Sequence, residues 1–349
     1  MNQRQHPCRA VSRTASPAAP RTTPRTAQRG AAILMAMLTV VLVATLASGM
    51  LWQQWRGVEL ESAQRTRVQS AWILTGALDW ARLILREDAR QGGSDHLAEP
   101  WAVPLAPARL STFLAAERGQ ALVTDDTDPD SEAFLAGHIE DLQARLNVTN
   151  LLDNGKLHAP SRAAWAKLFK QLNLPEAELD RMTQGLLQAG SAQAGGNGDL
   201  LAALVPQSVA DLAWLGLSAS TLQTLAPFVT LLPVRTPVNL NTAPVEVLVA
   251  SIEGLEMAQA RQLEQSRAAK PMGTLMEALL LVSNPAVKFD AAEHSVASRF
   301  FSVTGQLRVG QTTLQERSIL QRDNTEVKTL SRTREVVVAE GAAPTMNSY

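Results

Sequence analysis

Between Ala31 and Leu51 the chain carries no ionisable side chain, and this stretch limits what it can fold into more than any other. About 20 apolar residues in a helix, at roughly 1.5 Å rise each, match the ~30 Å hydrocarbon core of a bilayer. Residues 31–51 therefore predict a transmembrane helix. Trp52 and Trp55 fit an interfacial aromatic belt, and Arg56, Glu59 and Glu61 mark the return to water. The helix is expected to run on. No Pro lies between Pro24 and Pro100, and Ala71, Leu74, Leu78, Ala81 and Leu85 recur at helical spacing, with Arg67, Arg82 and Arg86 elsewhere around the wheel. Gly92-Gly93 is the expected stop.

Residues 1–30 are rich in Arg, Pro, Thr and Ala without periodicity, a composition that buries too little apolar surface to fold. Arg4, Arg9, Arg13, Arg21, Arg25 and Arg29 all precede the apolar run, and no acid occurs before Glu59. Subtracting those six charges from the formal net charge of −1 leaves about −7 beyond the leader. A remainder of that sign repels polyanions and argues against nucleic acid as a partner. The basic leader places the N-terminus on the cytoplasmic side by the positive-inside rule. Cys8, the one cysteine, lies in the leader, so the rest of the chain offers neither a disulfide framework nor a cysteine-based zinc site. A secretory signal shares the basic-then-apolar order, but its apolar core is shorter and a small-x-small cut site follows it. Here Gly30 stands before the apolar run.

Downstream, Asp95 to Pro107 reads as Pro-punctuated loop, with His96 a solvated or hydrogen-bonded loop histidine. Asp125, Asp126, Asp128 and Asp130 offer hard oxygens of the kind calcium takes, but the loop lacks the Gly and spaced Glu of an EF-hand, and a solvated acidic loop is the competing reading. Gly137 to Leu152 suits one or two short strands. Ala163 to Leu172 and Pro175 to Leu187 read as amphipathic helices, the second opened by Pro175, Glu176 and Glu178. Ser191 to Asp199 reads as a flexible connector, and short helices are expected around Ser208 to Leu215 and Ser220 to Thr230. A helix from Val245 to Ile252, the turn Glu253-Gly254-Leu255-Glu256 and a helix from Met257 to Arg267 resemble a helix-hairpin-helix module. Such modules grip DNA through a Gly-x-Gly turn whose N–H groups meet a phosphate; Glu256 occupies the second Gly position, so a structural module is expected. Arg299 to Gly310, Thr312 to Arg322 and Glu326 to Val338 are strand-like runs separated by tight turns, an antiparallel meander, and the tail from Glu340 is expected to be disordered.

These pieces predict an α+β fold in which an all-helical insertion interrupts a helix-and-sheet domain. The expected organisation is a leader over 1–30, a transmembrane segment over 31–51, the first part of the sheet domain over 52–152, an inserted helical domain over 153–293, C-terminal strands over 294–338 and a disordered tail over 339–349.

The leader, with Arg29-Gly30-Ala31 and its apolar run, resembles that of type IV pilins and pseudopilins. That resemblance implies cleavage by a prepilin peptidase between Gly30 and Ala31 and methylation of the new N-terminus. Over nearly its whole length the chain is similar to the minor pseudopilin K family of type II secretion systems, also called general secretion pathway protein K. The carriers are Trp101-Ala102-Val103-Pro104, Ile139-Glu140-Asp141 with Asn147-Val148-Thr149-Asn150-Leu151, Val238-Asn239-Leu240-Asn241-Thr242-Ala243-Pro244, and Ser295 to Phe301. The resemblance implies a pilin-like domain, an inserted domain with a helix-hairpin-helix-like (SAM-like) module, and a non-enzymatic role at the tip of the pseudopilus. It implies a single-pass inner-membrane protein with a periplasmic C-terminal domain. It further implies partnership with minor pseudopilins I and J, other pseudopilins, inner-membrane components of the system and prepilin peptidase. No cofactor is required, and calcium is possible.

Most pilins and pseudopilins carry Glu at the fifth position after the cut, where this chain has Met35. In the family picture that Glu compensates the terminal ammonium of the subunit added before it, two charges costly to hold in lipid. A tip subunit has no earlier neighbour, and an apolar Met35 fits that place; an apolar residue is equally ordinary in any membrane helix. The alternative is a membrane-anchored DNA-binding protein of helix-hairpin-helix type. No Gly-x-Ser-x-Gly elbow, His-Glu-x-x-His pair or cysteine nucleophile supports a hydrolase.

Overall fold

The computed structural model describes residues 28–110, 133–195, 204–282, 284–310 and 312–338. The chain divides into a unit ending at Arg67 and a unit from Val68 onward. One helix, α1 (Gln28–Gln91), runs from the first into the second. It ends where expected: Gly92 and Gly93 take φ of 67° and 124°, left-handed values that glycine adopts without strain, and Gly92 N–H donates to Asp88 O at 3.1 Å.

In the second unit, five antiparallel strands form a sheet in the order β1 (Leu105–Arg109), β2 (Ala133–Asp141), β9 (Phe300–Val309), β10 (Thr312–Asp323) and β11 (Glu326–Val338). The three C-terminal strands are the meander expected from sequence, with Gly310 (φ 56°) and Asn324 (φ 53°) making the turns. Along β10, Leu314, Glu316, Ser318, Leu320 and Arg322 alternate as buried residues and face α1. The α1 residues Leu74, Leu78, Ala81 and Leu85 pack against the sheet in two apolar clusters. One holds Leu74, Leu135, Leu307 and Leu314; the other holds Leu78, Leu85, Trp101, Phe301 and Leu320.

Neighbouring strands β2 and β9 pair as directly as a hairpin, with Asp141 opposite Phe301, yet residues 142–299 all lie in their connection. That connection holds α2 (Ala159–Gln171), α3 (Glu176–Gly195), α4 (Ala219–Leu225), α5 (Val245–Ser251), α6 (Met257–Ala269) and α7 (Leu275–Val282) around a core centred on Trp165, Leu168, Leu179, Leu240 and Val247. Short strands complete it. β3 (Leu146–Asn147) pairs parallel with β6 (Val229–Thr230), β7 (Val238–Asn239) pairs parallel with β8 (His294–Ser295), and β4 (Leu152–Asp153) makes a hairpin with β5 (Lys156–Leu157). Leu146, Val148 and Leu151 are buried in the helical core, so the chain joins that core upstream of Asp153.

Several elements depart from the sequence reading. Helix α3 continues through Ser191 to Gly195, where a flexible connector was expected, because Leu186 and Ala189 are buried in the core and Gly185 lets Leu215 approach. A Cβ at Gly185 would stand 2.9 Å from Leu215 Cδ2. Tertiary contact outweighs the weak helix preference of glycine here. The segment Ser208 to Leu215 is a 3-10 helix (Val209–Leu215), closed by Gly216 at φ 96°, and the expected helix at Ser220 to Thr230 ends at Leu225 before β6.

Candidate functional site

From Gly30 to Glu61 every described side chain of α1 is exposed, and up to Trp55 none is ionisable. Its few hydroxyls turn inward: Thr39 donates to Ala36 O, Thr45 to Leu42 O and Ser48 to Ala44 O, each at 2.8–2.9 Å. The segment thus satisfies its own polar groups, as an apolar solvent demands. It is long and apolar enough to cross a bilayer. Met35 is 66% exposed on this surface. Gly30 and Ala31, the expected cleavage position, lie in the first turn of α1. The ends of a helix unwind at the least cost.

The motifs that carry the family resemblance converge elsewhere, on the joint between sheet and helical core. Asp141, at the end of β2, is buried with no cation paired to it among the described residues. Its Oδ2 accepts from Ser298 Oγ at 2.5 Å, Thr242 Oγ1 at 2.6 Å and Asn239 Nδ2 at 2.9 Å, and its Oδ1 accepts from Gln143 N–H at 2.7 Å. Burial pushes its carboxyl upward, and these four donors oppose that rise. Asn239 Nδ2 also reaches Asp95 O at 3.1 Å and Ser298 Oγ at 2.9 Å. One amide thus ties the loop after α1, the sheet and the insertion together.

The second motif fastens the loop before β7. Asn147 Oδ1 accepts from Leu232 N–H at 3.1 Å while its Nδ2 donates to Val234 O at 2.8 Å. Asn150 exchanges two hydrogen bonds with the Thr236 backbone, at 2.7 and 3.0 Å. Asn241 does the same for Met272, at 2.9 and 3.0 Å, and Arg267 Nη1 donates to Leu240 O at 2.5 Å. These asparagines satisfy buried loop backbone that no ladder reaches. The structural duty of these motifs rests on partners far away in the chain.

Asp88, Asp95 and Glu99 bring a carboxylate oxygen each within 4.8 Å of one another. Arg322 already supplies the counter-charge: Nη1 stands 2.5 Å from Asp88, and Nη2 binds Asp95 and donates to Ser298 O at 2.8 Å. A divalent cation would have to displace that guanidinium, so the cluster reads as a buried ion-pair network. The sequence-predicted metal candidates Asp125, Asp126, Asp128 and Asp130 lie outside the described residues.

Burial pushes Glu99 up to about 7, helped by Asp88 and Asp95 and opposed by hydrogen bonds from His96 N–H (2.9 Å) and Trp101 Nε1–H (2.6 Å). A glutamate in the unfolded chain titrates near ~4.3. Between that pH and about 7 the folded state holds a proton that the unfolded state has lost. The Glu99 contribution is therefore present below pH ~4.3, is lost as pH rises toward 7 and is flat above. Glu99→Gln is expected to flatten stability against pH across that window, measured by urea unfolding of both proteins from pH 4 to 8.

Two constellations that suggest chemistry are structural. His158 Nδ1 meets Ser161 Oγ at 2.9 Å and its Nε2 faces Glu293 at 3.8 Å, but Ser161 is buried in the first turn of α2, His158 is the cap of that helix, and Arg235 holds Glu293 at 3.1 Å. In the turn between α5 and α6, Gly254 (φ 74°) lies against the Ala286 carbonyl, which would be 2.8 Å from an added Cβ, and the backbone of Glu253 pairs with that of Lys288 in an isolated antiparallel bridge. Glu253, Gly254 and Glu256 are exposed, so the turn that would meet a phosphate presents two carboxylates, which repel it.

A family model described as type II secretion system protein K matches residues 238–297, and a second with that description matches 144–234. The type II secretion system protein K of Pseudomonas aeruginosa is 27% identical over 305 residues, covering 81% of this chain and 85% of the relative. Among solved structures, a chain of the GspK-GspI-GspJ complex from the enterotoxigenic Escherichia coli type 2 secretion system matches with a TM-score of 0.57 and 19% identity, over 78% of this chain and 98% of that one. The matched regions contain the Asn147 and Asn239 motifs that build the joint, and the α+β architecture is shared. Both family models and the curated relative carry the description type II secretion system protein K, and it is to that family that the chain is similar.

Proposed function

We propose that the protein is a non-enzymatic minor pseudopilin that sits at the tip of the type II secretion pseudopilus and promotes its assembly and protein export. The observation that carries this reading is the wholly exposed apolar half of α1, with Met35 in place of a carboxylate, on a chain whose remainder has the fold of a protein K. In this reading α1 crosses the inner membrane once, with the N-terminus cytoplasmic and the folded domain periplasmic. Prepilin peptidase cuts between Gly30 and Ala31 and methylates Ala31, and the partners are minor pseudopilins I and J, other pseudopilins and inner-membrane components. The relative of known structure was solved with proteins I and J, which supports that choice. The pair α5–α6 serves as a helix-hairpin-helix-like, SAM-like packing module, and no cofactor is needed. The insertion in the β2–β9 connection adds bulk that a subunit surrounded by neighbours has no room for, which favours the tip.

N-terminal sequencing of the protein from cells with and without prepilin peptidase tests the reading: a chain beginning at Ala31 is expected only with the peptidase. A mature chain that retains Arg29, or starts beyond Leu51, overturns it. Met35→Glu places an unpaired carboxylate in lipid, at a cost on the order of 2–3 kcal/mol. It is expected to reduce pseudopili per cell severalfold by electron microscopy, whereas Met35→Leu leaves the number unchanged.

A further inference from the structure

The two apolar clusters between α1 and the sheet are separated by one row of the ladder. In that row Gly137 pairs with Gly305, Gly305 with Glu316, and Glu316 with Arg334. From β2 to β11 no apolar side chain rises from it toward α1, and a gap of about 230 Å³, edged by Leu105 opposite Gly137, remains beneath Leu74, Ala77, Leu78 and Ala81, with Trp101 and Val303 at one end. The row cannot easily refill the gap itself. A Cβ at Gly137 would stand 2.8 Å from Thr304 O, and one at Gly305 would stand 3.3 Å from Leu74 Cδ2. An apolar cavity of ~150 Å³ is enough to take up benzene.

The gap has one unsatisfied polar atom. Ser318, 1% exposed, lines it, and its Oγ has no hydrogen-bond partner among the described residues. Glu316 also lines it, but Arg332 Nε at 3.2 Å and Arg334 Nε at 3.0 Å hold that carboxylate from the side of β11. The buried carboxylate disfavours an anion, and its two guanidinium partners disfavour a cation. We propose that the gap is a binding site for a small neutral molecule, a single ring or short chain bearing one hydroxyl, held by the apolar walls and by a hydrogen bond to Ser318 Oγ. The site is independent of the role in secretion.

Phenol and benzene are the probes, added at matched free concentrations to the full chain in lipid nanodiscs. Labelling with 5-fluorotryptophan reports the site through the 19F resonance of Trp101, assigned with Trp101→Phe. Phenol is expected to shift that resonance saturably and to bind about 3- to 10-fold tighter than benzene, the worth of one hydrogen bond. Ser318→Ala is expected to bring the two affinities together, and Ala77→Phe, which fills the gap from α1, to remove the saturable shift. A wild-type resonance that phenol leaves unmoved, as for a gap holding only water, overturns the proposal. So does a shift that survives Ala77→Phe, or equal affinity for the two probes.

Discussion

Arg322→Met is expected to destabilise the folded protein by about 3–5 kcal/mol, because removing one partner of a buried ion pair strands the other. Here it strands two: Asp88 on α1 and Asp95 in the loop that follows, with Arg322 itself only 8% exposed. The guanidinium also covers the face of Phe301, 4.8 Å from its ring centre, and Phe301 packs edge-on against Trp101 at 5.2 Å. Methionine keeps much of the volume and none of the charge, so the loss reports electrostatics more than packing. Burial already pushes the Asp95 carboxyl upward despite Arg322. The penalty should therefore shrink as pH falls and Asp95 takes a proton. Urea unfolding at pH 7 and pH 4.5 reads both effects; a loss under 1 kcal/mol at pH 7 would show that Arg322 does not hold the end of α1.

Asn239→Asp is the second large effect. The side chain is fully buried, and its Nδ2 donates toward Asp141 Oδ2, Asp95 O and Ser298 Oγ. Aspartate has the same shape but puts an acceptor where the donor was, against a carboxylate with no cation paired to it among the described residues. Leaving buried polar groups unpaired costs about 1–3 kcal/mol each, and more for charged groups. A loss of about 4 kcal/mol or more at neutral pH is expected, against about 2–3 kcal/mol for Asn239→Leu, which removes the donor without adding charge. If Asn239→Asp proved no worse than Asn239→Leu, Asp141 would not be ionised in the folded protein. Because the amide joins the loop after α1, the sheet and the insertion, limited proteolysis of both variants should cut first in the segments flanking Asp95 and Ser298.

Much of this fold is written locally. The apolar run of α1, its glycine stop and the alternating strands β9 to β11 with their turns follow from neighbours in sequence, and the structure places them within a residue or two of expectation. The continuation of α3 past Ser191 was not legible, because Gly185 and Gly190 weaken the helical signal and only contact with Leu215 and Leu152 explains them. Helix α7 left no readable trace. Its Leu-Met-Glu-Ala-Leu-Leu-Leu-Val is apolar nearly all round and too short for a period to show.

Resemblance to pilin leaders implied the processing bond at Gly30 and Ala31 and the missing carboxylate at Met35, whereas the sequence alone determined a membrane-length apolar helix and a helical block between two sets of strands. Those features depend on composition and on periods of two or 3.6 residues, which a linear chain displays. Only the tertiary structure decided that Asp95, Asp141, Asn239, Ser298 and Arg322 form one joint, since the hydrogen bonds that link them span 98, 157 and 227 positions. It likewise decided that Gly254 lies against the Ala286 carbonyl and that the paired Gly137 and Gly305 leave a gap under α1. Burial and the pairing of distant polar groups are set by packing, and no local pattern encodes them.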